Sequence, residues 1–138
     1  MPVSDSFTYP PIERVVYGAP FAETVGDEVA RLGAERVFVL ASGTLSRETD
    51  ALERTKTALG SRFAGLFDGF RPHVQRDDVV AATAVAREAG ADLILTLGGG
   101  TPTDAGKMVA LCLANDVTEM AQLDGLRTVT EPDGSKIQ

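Results

Sequence analysis

The chain has 138 residues, 43% of them hydrophobic, which suits one globular domain with a sizeable core. Thirteen Lys and Arg against 20 Asp and Glu give a net charge of −7, and no basic run forms a stripe that could track a nucleic-acid backbone or an anionic membrane. The apolar runs fall far short of the roughly 18 residues a membrane span needs, the lone Cys112 excludes an internal disulfide framework, and Met1–Ser6 lacks the basic start and apolar stretch of a signal peptide.

Short apolar runs then alternate with longer amphipathic segments, the pattern of repeated β-α units around a mostly parallel sheet. Four such units are predicted. Val15–Tyr17 reads as the first strand, and Phe21, Val25, Val29 and Leu32 keep helical spacing up to a stop at Gly33. Val37–Ala41 is apolar on both faces, as a central parallel strand is. Ser42, Gly43 and Thr44 are expected to break it, before a polar helix from about Ser46 to Leu59 closed by Gly60. A third strand, Phe63–Phe67, leads through a loop over Asp68–His73 to a helix starting near Asp77, where Asp77 and Asp78 suit a helix start better than a metal site. That helix ends at Ala89-Gly90, and Leu93–Leu97 forms the fourth strand. An apolar helix through Val109, Leu111 and Leu113 follows, with Cys112 as a core residue; a short helix from Val117 to Leu123 and a turn at Pro132-Asp133-Gly134 close the chain.

Between the fourth strand and that last long helix lies Gly98-Gly99-Gly100-Thr101-Pro102-Thr103-Asp104-Ala105-Gly106-Lys107. Three consecutive glycines remove every Cβ between strand and helix, so a phosphate can approach the main chain and the unpaired N–H groups of the first helical turn. The same glycines would also serve a purely conformational turn. The dinucleotide fingerprint G-x-G-x-x-G fails because Thr103 holds the place of its last glycine, and the P-loop pattern fails because one residue too many separates Gly100 from Gly106 and Met108 stands where a hydroxyl is needed.

The loop does resemble that of the iron-containing alcohol dehydrogenase family, G-G-G-S-x-x-D-x-x-K after a strand and opening a helix. Gly98, Gly99, Gly100, Asp104 and Lys107 fall on it in register, and Thr101 replaces its serine. Ala89-Gly90-Ala91-Asp92, Arg14-Val15-Val16-Tyr17-Gly18, and Phe67-Asp68-Gly69 with Pro72-His73 are similar to neighbouring family segments, so the resemblance runs from roughly Tyr9 to Asn115. The His73 loop is more similar to the maleylacetate reductase branch, whereas Pro102 and Asp104 are typical of the alcohol dehydrogenases, and the branch stays open. The dehydroquinate synthase and glycerol phosphate dehydrogenase families share the glycines but usually carry an aliphatic residue at the place of Thr101.

The resemblance implies an α/β fold: an open, mostly parallel Rossmann-like sheet with helices on both faces, the N-terminal domain of a dehydroquinate synthase-like two-domain fold. Residues 1–138 are then a single dinucleotide-binding domain, and the stretch is expected to be a fragment of a longer dehydrogenase or reductase. NAD or NADP would lie along the carboxyl ends of the strands, with hydride passing between nicotinamide and an alcohol or carbonyl of a small-molecule substrate. The implied cofactor-binding residues are Ser42, Gly43 and His73 together with Gly98, Gly99, Gly100, Thr101, Pro102, Thr103, Asp104 and Lys107.

Backbone N–H groups of Gly100, Thr101 and Thr103, with the Thr101 hydroxyl, would hold the pyrophosphate; Asp104 would meet a ribose hydroxyl or a nicotinamide amide, or serve only as a first-turn carboxylate favoured by the helix dipole. Lys107 would balance the phosphates or remain a solvated helix lysine. Ser42 and Gly43 stand where NAD-preferring relatives place an aspartate, so NADP should be tolerated. One histidine cannot assemble the family's iron or zinc site, so catalytic residues and metal ligands are expected only in a helical second domain absent from these residues. The alternative is a stand-alone nucleotide-binding or regulatory module without redox activity. A cytoplasmic setting is expected, without nucleic-acid or membrane partners, and the strand near Arg14 leaves an edge on which a homodimer could form.

Overall fold

The computed structural model describes residues 12–126, with the backbone of two further short strands, Val129–Thr130 and Lys136–Ile137, which pair antiparallel. The Pro132-Asp133-Gly134 turn and Met1–Ser6 lie outside the described residues. Strand β1 (Val37–Ala41) is the centre of a parallel sheet, flanked by β2 (Phe63–Phe67) on one side and β3 (Leu93–Leu97) on the other. Its register sets Val37 opposite Phe63 and Leu93, and Ala41 opposite Leu97.

All five residues of β1 are completely buried. Because side chains alternate across a strand, that burial needs cover on both sheet faces. Phe38 and Leu40 pack with Val79, Ala82 and Ala86 of α4 (Arg76–Glu88) and Val109 and Cys112 of α5 (Gly100–Ala114). Val37, Val39 and Ala41 pack with Val29 of α1 (Phe21–Leu32) and Leu52 and Leu59 of α3 (Ala51–Leu59). Fully burying side chains of this size contributes about 1.5–3 kcal/mol each. The expected α/β architecture with helices on both faces is therefore present, and no helix among the described residues is long and apolar enough to cross a membrane.

Local sequence explains the boundaries. Gly33 closes α1 in the left-handed region (φ 69°), its N–H reaching Ala30 O while Ala34 N–H reaches Val29 O, the bond pattern that ends a helix on glycine. In α4 the first-turn Asp77 and Asp78 both receive the Arg71 guanidinium, and Asp78 also accepts Arg71 N–H at 2.9 Å. These contacts anchor the preceding loop; Asp77 and Asp78 act at a helix start, as expected. Gly106 lets α5 lie close on the sheet, since a Cβ there would run into Thr96 Cγ2 of β3.

Four expectations are corrected. Val15–Tyr17 is not a strand: it has no regular structure and is exposed, Tyr17 to 90%, because β-propensity forms a strand only where a neighbour supplies the ladder, and no described strand does. The sheet of the described residues accordingly has three strands, not four. Ser42-Gly43-Thr44 does end the strand, but helix begins at Gly43 rather than near Ser46, since Ser42 caps a short helix α2 (Gly43–Glu48) by accepting Leu45 N–H. The segment to Leu59 is two helices because Thr49 turns extended, donating its hydroxyl to Leu45 O and accepting Ala51 N–H, so its side chain competes for helical backbone groups. The last segment is a 3₁₀ turn over Met120–Leu126, three residues later than expected, with Leu123 buried against α4.

Asp92 joins the starts of β1 and β3: its carboxylate accepts the N–H groups of Glu35 and Arg36, each at 2.9 Å, while Arg36 Nε donates to Ala89 O at 2.7 Å. The Glu35 N–H bond, then that of Arg36, holds the Asp92 carboxyl below its usual range. A depressed folded-state value means stability that is present above the unfolded carboxylate's pKa of about 3.9 and is lost as pH falls through the lower folded value. Asp92→Asn should melt at a lower temperature than the parent chain at pH 7, and thermal melts followed by circular dichroism should show the gap narrowing as pH is taken below 4.

Candidate functional site

Adjacent strands β1 and β3 send their following helices to opposite faces, α3 to one and α5 to the other. The chain thus diverges at their carboxyl ends and opens a crevice, the position where open α/β sheets take ligands. Ser42 N–H donates to Leu97 O at 3.0 Å, carrying the pairing one residue past β1 and bringing Ser42 against the glycine turn.

The three glycines differ in what they do. Gly98 has φ 140°, outside the range open to L side chains, and a Cβ there would stand 2.9 Å from Pro102 Cγ and 3.1 Å from Ser42 Cβ. Gly99, the residue before α5, and Gly100, its first residue, face open space: a Cβ on either would meet no atom within 4 Å. The N–H groups of Gly100 and Thr101 precede the first intrahelical bond, and Pro102 has none to offer. Thr103 N–H donates to Gly99 O at 3.4 Å and its hydroxyl donates to the same carbonyl at 2.8 Å. Within α5 itself the unpaired N–H groups at the start are therefore those of Gly100 and Thr101, at the positive end of a helix of 15 residues.

A cleft of about 200 Å³ opens beside the turn, lined by Ser42, Gly43 and Thr44, by Phe70 and Pro72 from the loop after β2, and by Thr101 and Pro102. Sites that enclose a whole drug-sized ligand run to roughly 300–1,000 Å³, so this one accommodates a segment of an extended ligand. Phe70 is held edge-on to Phe67, with ring centroids 4.7 Å apart. Thr44 and Phe70 are cleft residues that the sequence reading did not single out; an aromatic within the otherwise polar Asp68–His73 loop was the available signal.

Among the other expected site residues, His73 is exposed in the left-handed region (φ 67°) and does not line the cleft, although Pro72 beside it does. Asp104 and Lys107 pair with each other at 3.2 Å on the exposed side of α5, their side chains 64% and 73% accessible. They lie beyond the first turn of the helix and outside the cleft lining. Cys112 is buried in the core, where burial pushes its thiol up from the ordinary range. Among the described residues no group of three or more His, Cys, Asp and Glu converges as a metal site would. A larger groove of about 490 Å³ between α1 and α3, near Gly26 and Ala58, lies away from the strand ends and the glycine turn.

This crevice and turn belong to a recognisable class. The chain is a member of the iron-containing alcohol dehydrogenase family, whose sequence profile matches residues 11–136. It is 37% identical over 123 residues to the dehydrogenase FUM7 of Gibberella moniliformis, covering 88% of this chain and 29% of that protein. Maleylacetate reductase 2 of Cupriavidus pinatubonensis is 40% identical over 98 residues, 71% of this chain and 26% of the relative. The crystal structure of maleylacetate reductase from Agrobacterium tumefaciens superposes with a TM-score of 0.66 at 32% identity, covering 78% of this chain and 30% of that one. The chain thus spans less than a third of the length of these relatives.

The contrast between neighbouring glycines is testable in stability alone. Gly98→Ala should destabilise the fold by about 1–3 kcal/mol, from its backbone conformation and its contact with Pro102 and Ser42. Gly99→Ala, which meets open space at φ −87°, should cost less than about 1 kcal/mol. Urea unfolding of the two variants beside the parent measures both.

Proposed function

We propose that this chain is the NAD(P)-binding domain of a metal-dependent dehydrogenase or reductase of the alcohol dehydrogenase or maleylacetate reductase type. The observation that supports this best is the open space over Gly99 and Gly100 at the start of α5, beside the point where β1 and β3 diverge. A phosphate of the cofactor fits there because its oxygens can reach the N–H groups of Gly100 and Thr101, with the Thr101 hydroxyl as a further donor. Ser42 and Gly43 would border the adjoining ribose, and Phe70 and Pro72 give the cleft an apolar wall.

When bound, the nicotinamide supplies hydride to a carbonyl or accepts it from an alcohol. The contribution of these residues is to bind and orient the dinucleotide, and substrate selection and metal chemistry are assigned to parts of the protein beyond them. Family membership supports that division.

Calorimetric titration of the chain with NADH and with NADPH, without added metal, should show saturable binding of at least one of them. Gly99→Val should abolish that binding while leaving the melting temperature within a few degrees, because its side chain fills the phosphate's place and touches no protein atom at Cβ. Undiminished affinity in Gly99→Val would sink the phosphate-loop assignment.

A further inference from the structure

We infer that Arg47 makes this site selective for a dinucleotide carrying a 2′-phosphate, an inference that rests on the cofactor reading above. Gly43 and Arg47 are four residues apart in α2, so they share a helix face, and the long side chain of Arg47 leans back toward the helix start. The guanidinium consequently lies over Gly43, in the space a side chain there would occupy: an ideal Cβ on Gly43 would be 2.8 Å from Arg47 Cζ. Gly43 has no unusual φ, so its value here is the room it leaves. Arg47 is not itself part of the cleft lining, but its guanidinium sets a permanent cation against Gly43, which is, just past the end of β1.

The surrounding groups suit a phosphate better than a bare ribose hydroxyl. In open dinucleotide sites, an acidic residue reads the 2′-hydroxyl and an arginine reads the 2′-phosphate. Here Ser42 holds the strand-end position; its Oγ accepts Leu45 N–H at 3.2 Å and keeps its own O–H to donate. The nearby carboxylate, Asp68, accepts the Ser46 hydroxyl at 2.5 Å and stands 3.7 Å from Arg47 Nη1, an attraction that steadies the guanidinium without a hydrogen bond. With the Arg47 side chain 68% exposed, that pair is a weak one, screened by solvent. A phosphate that offers paired acceptors to the planar guanidinium can therefore displace or bridge it.

The test is titration of the parent chain, Arg47→Ala and Ser42→Asp with NADPH and NADH. The parent should bind NADPH more tightly. Arg47→Ala should weaken NADPH by roughly ten- to a hundredfold, the range for losing a hydrogen bond to a charged group, and change NADH by less than about twofold. Ser42→Asp retains a competent helix cap and should turn the preference toward NADH by repelling the 2′-phosphate. Equal losses for both dinucleotides in Arg47→Ala, or no loss for NADPH, would overturn the role of Arg47 while leaving the cofactor domain standing. A parent chain that binds neither dinucleotide would overturn both.

Discussion

The complete burial of β1 is the constraint from which the rest of the architecture follows. Five apolar residues with side chains on alternate faces cannot be covered by one layer, so helices must pack on both. α1 and α3 take the face of Val37, Val39 and Ala41, while α4 and α5 take that of Phe38 and Leu40. Once α3 and α5 lie on opposite faces, the ends of β1 and β3 diverge and the crevice is a geometric consequence. The site is thus a by-product of how the core is closed.

What converts the crevice into a candidate phosphate site is a division of tasks among small residues. Gly98 makes the reversal that an L side chain would strain, Gly99 and Gly100 leave the main chain bare, and Gly106 lets α5 settle against Thr96. Polar anchors fix the surroundings: Asp92 joins the starts of β1 and β3, and Arg71 clamps the loop bearing Phe70 and Pro72 to the first turn of α4. Little of this frame depends on the exposed charges of α5, where Asp104 and Lys107 face solvent as a pair.

Features set by local chemistry were legible in the sequence. The apolar run Val37–Ala41, the helical spacing from Phe21 to Leu32, its stop at Gly33 and the strand-turn-helix around Gly98 all stand in the structure because each is dictated by residues within one or two turns of itself. The failures had two sources, one distant and one local. Val15–Tyr17 has strand propensity but no described partner, and the break at Thr49 arises from a hydroxyl that finds local backbone groups. At the site, the glycines and Ser42 could be placed from the motif. His73 could not: whether it or Phe70 lines the cleft depends on the left-handed turn at His73 and Val74, which spacing does not reveal. Arg47 was equally hidden, because its position over Gly43 depends on α2 being a separate short helix.

In the proposed reading, a dinucleotide phosphate rests on the start of α5, where β1 and β3 diverge. The most direct measurement is a titration of the ¹⁵N-labelled chain with NADPH, followed by amide chemical shifts. The largest changes should fall on the N–H groups of Gly99, Gly100 and Thr101, with Ser42 and Gly43 following, while core amides such as Val39 and Val109 stay still. Saturable shifts centred elsewhere, for example at Gly26 and Ala58 between α1 and α3, with the glycine turn unmoved, would contradict it.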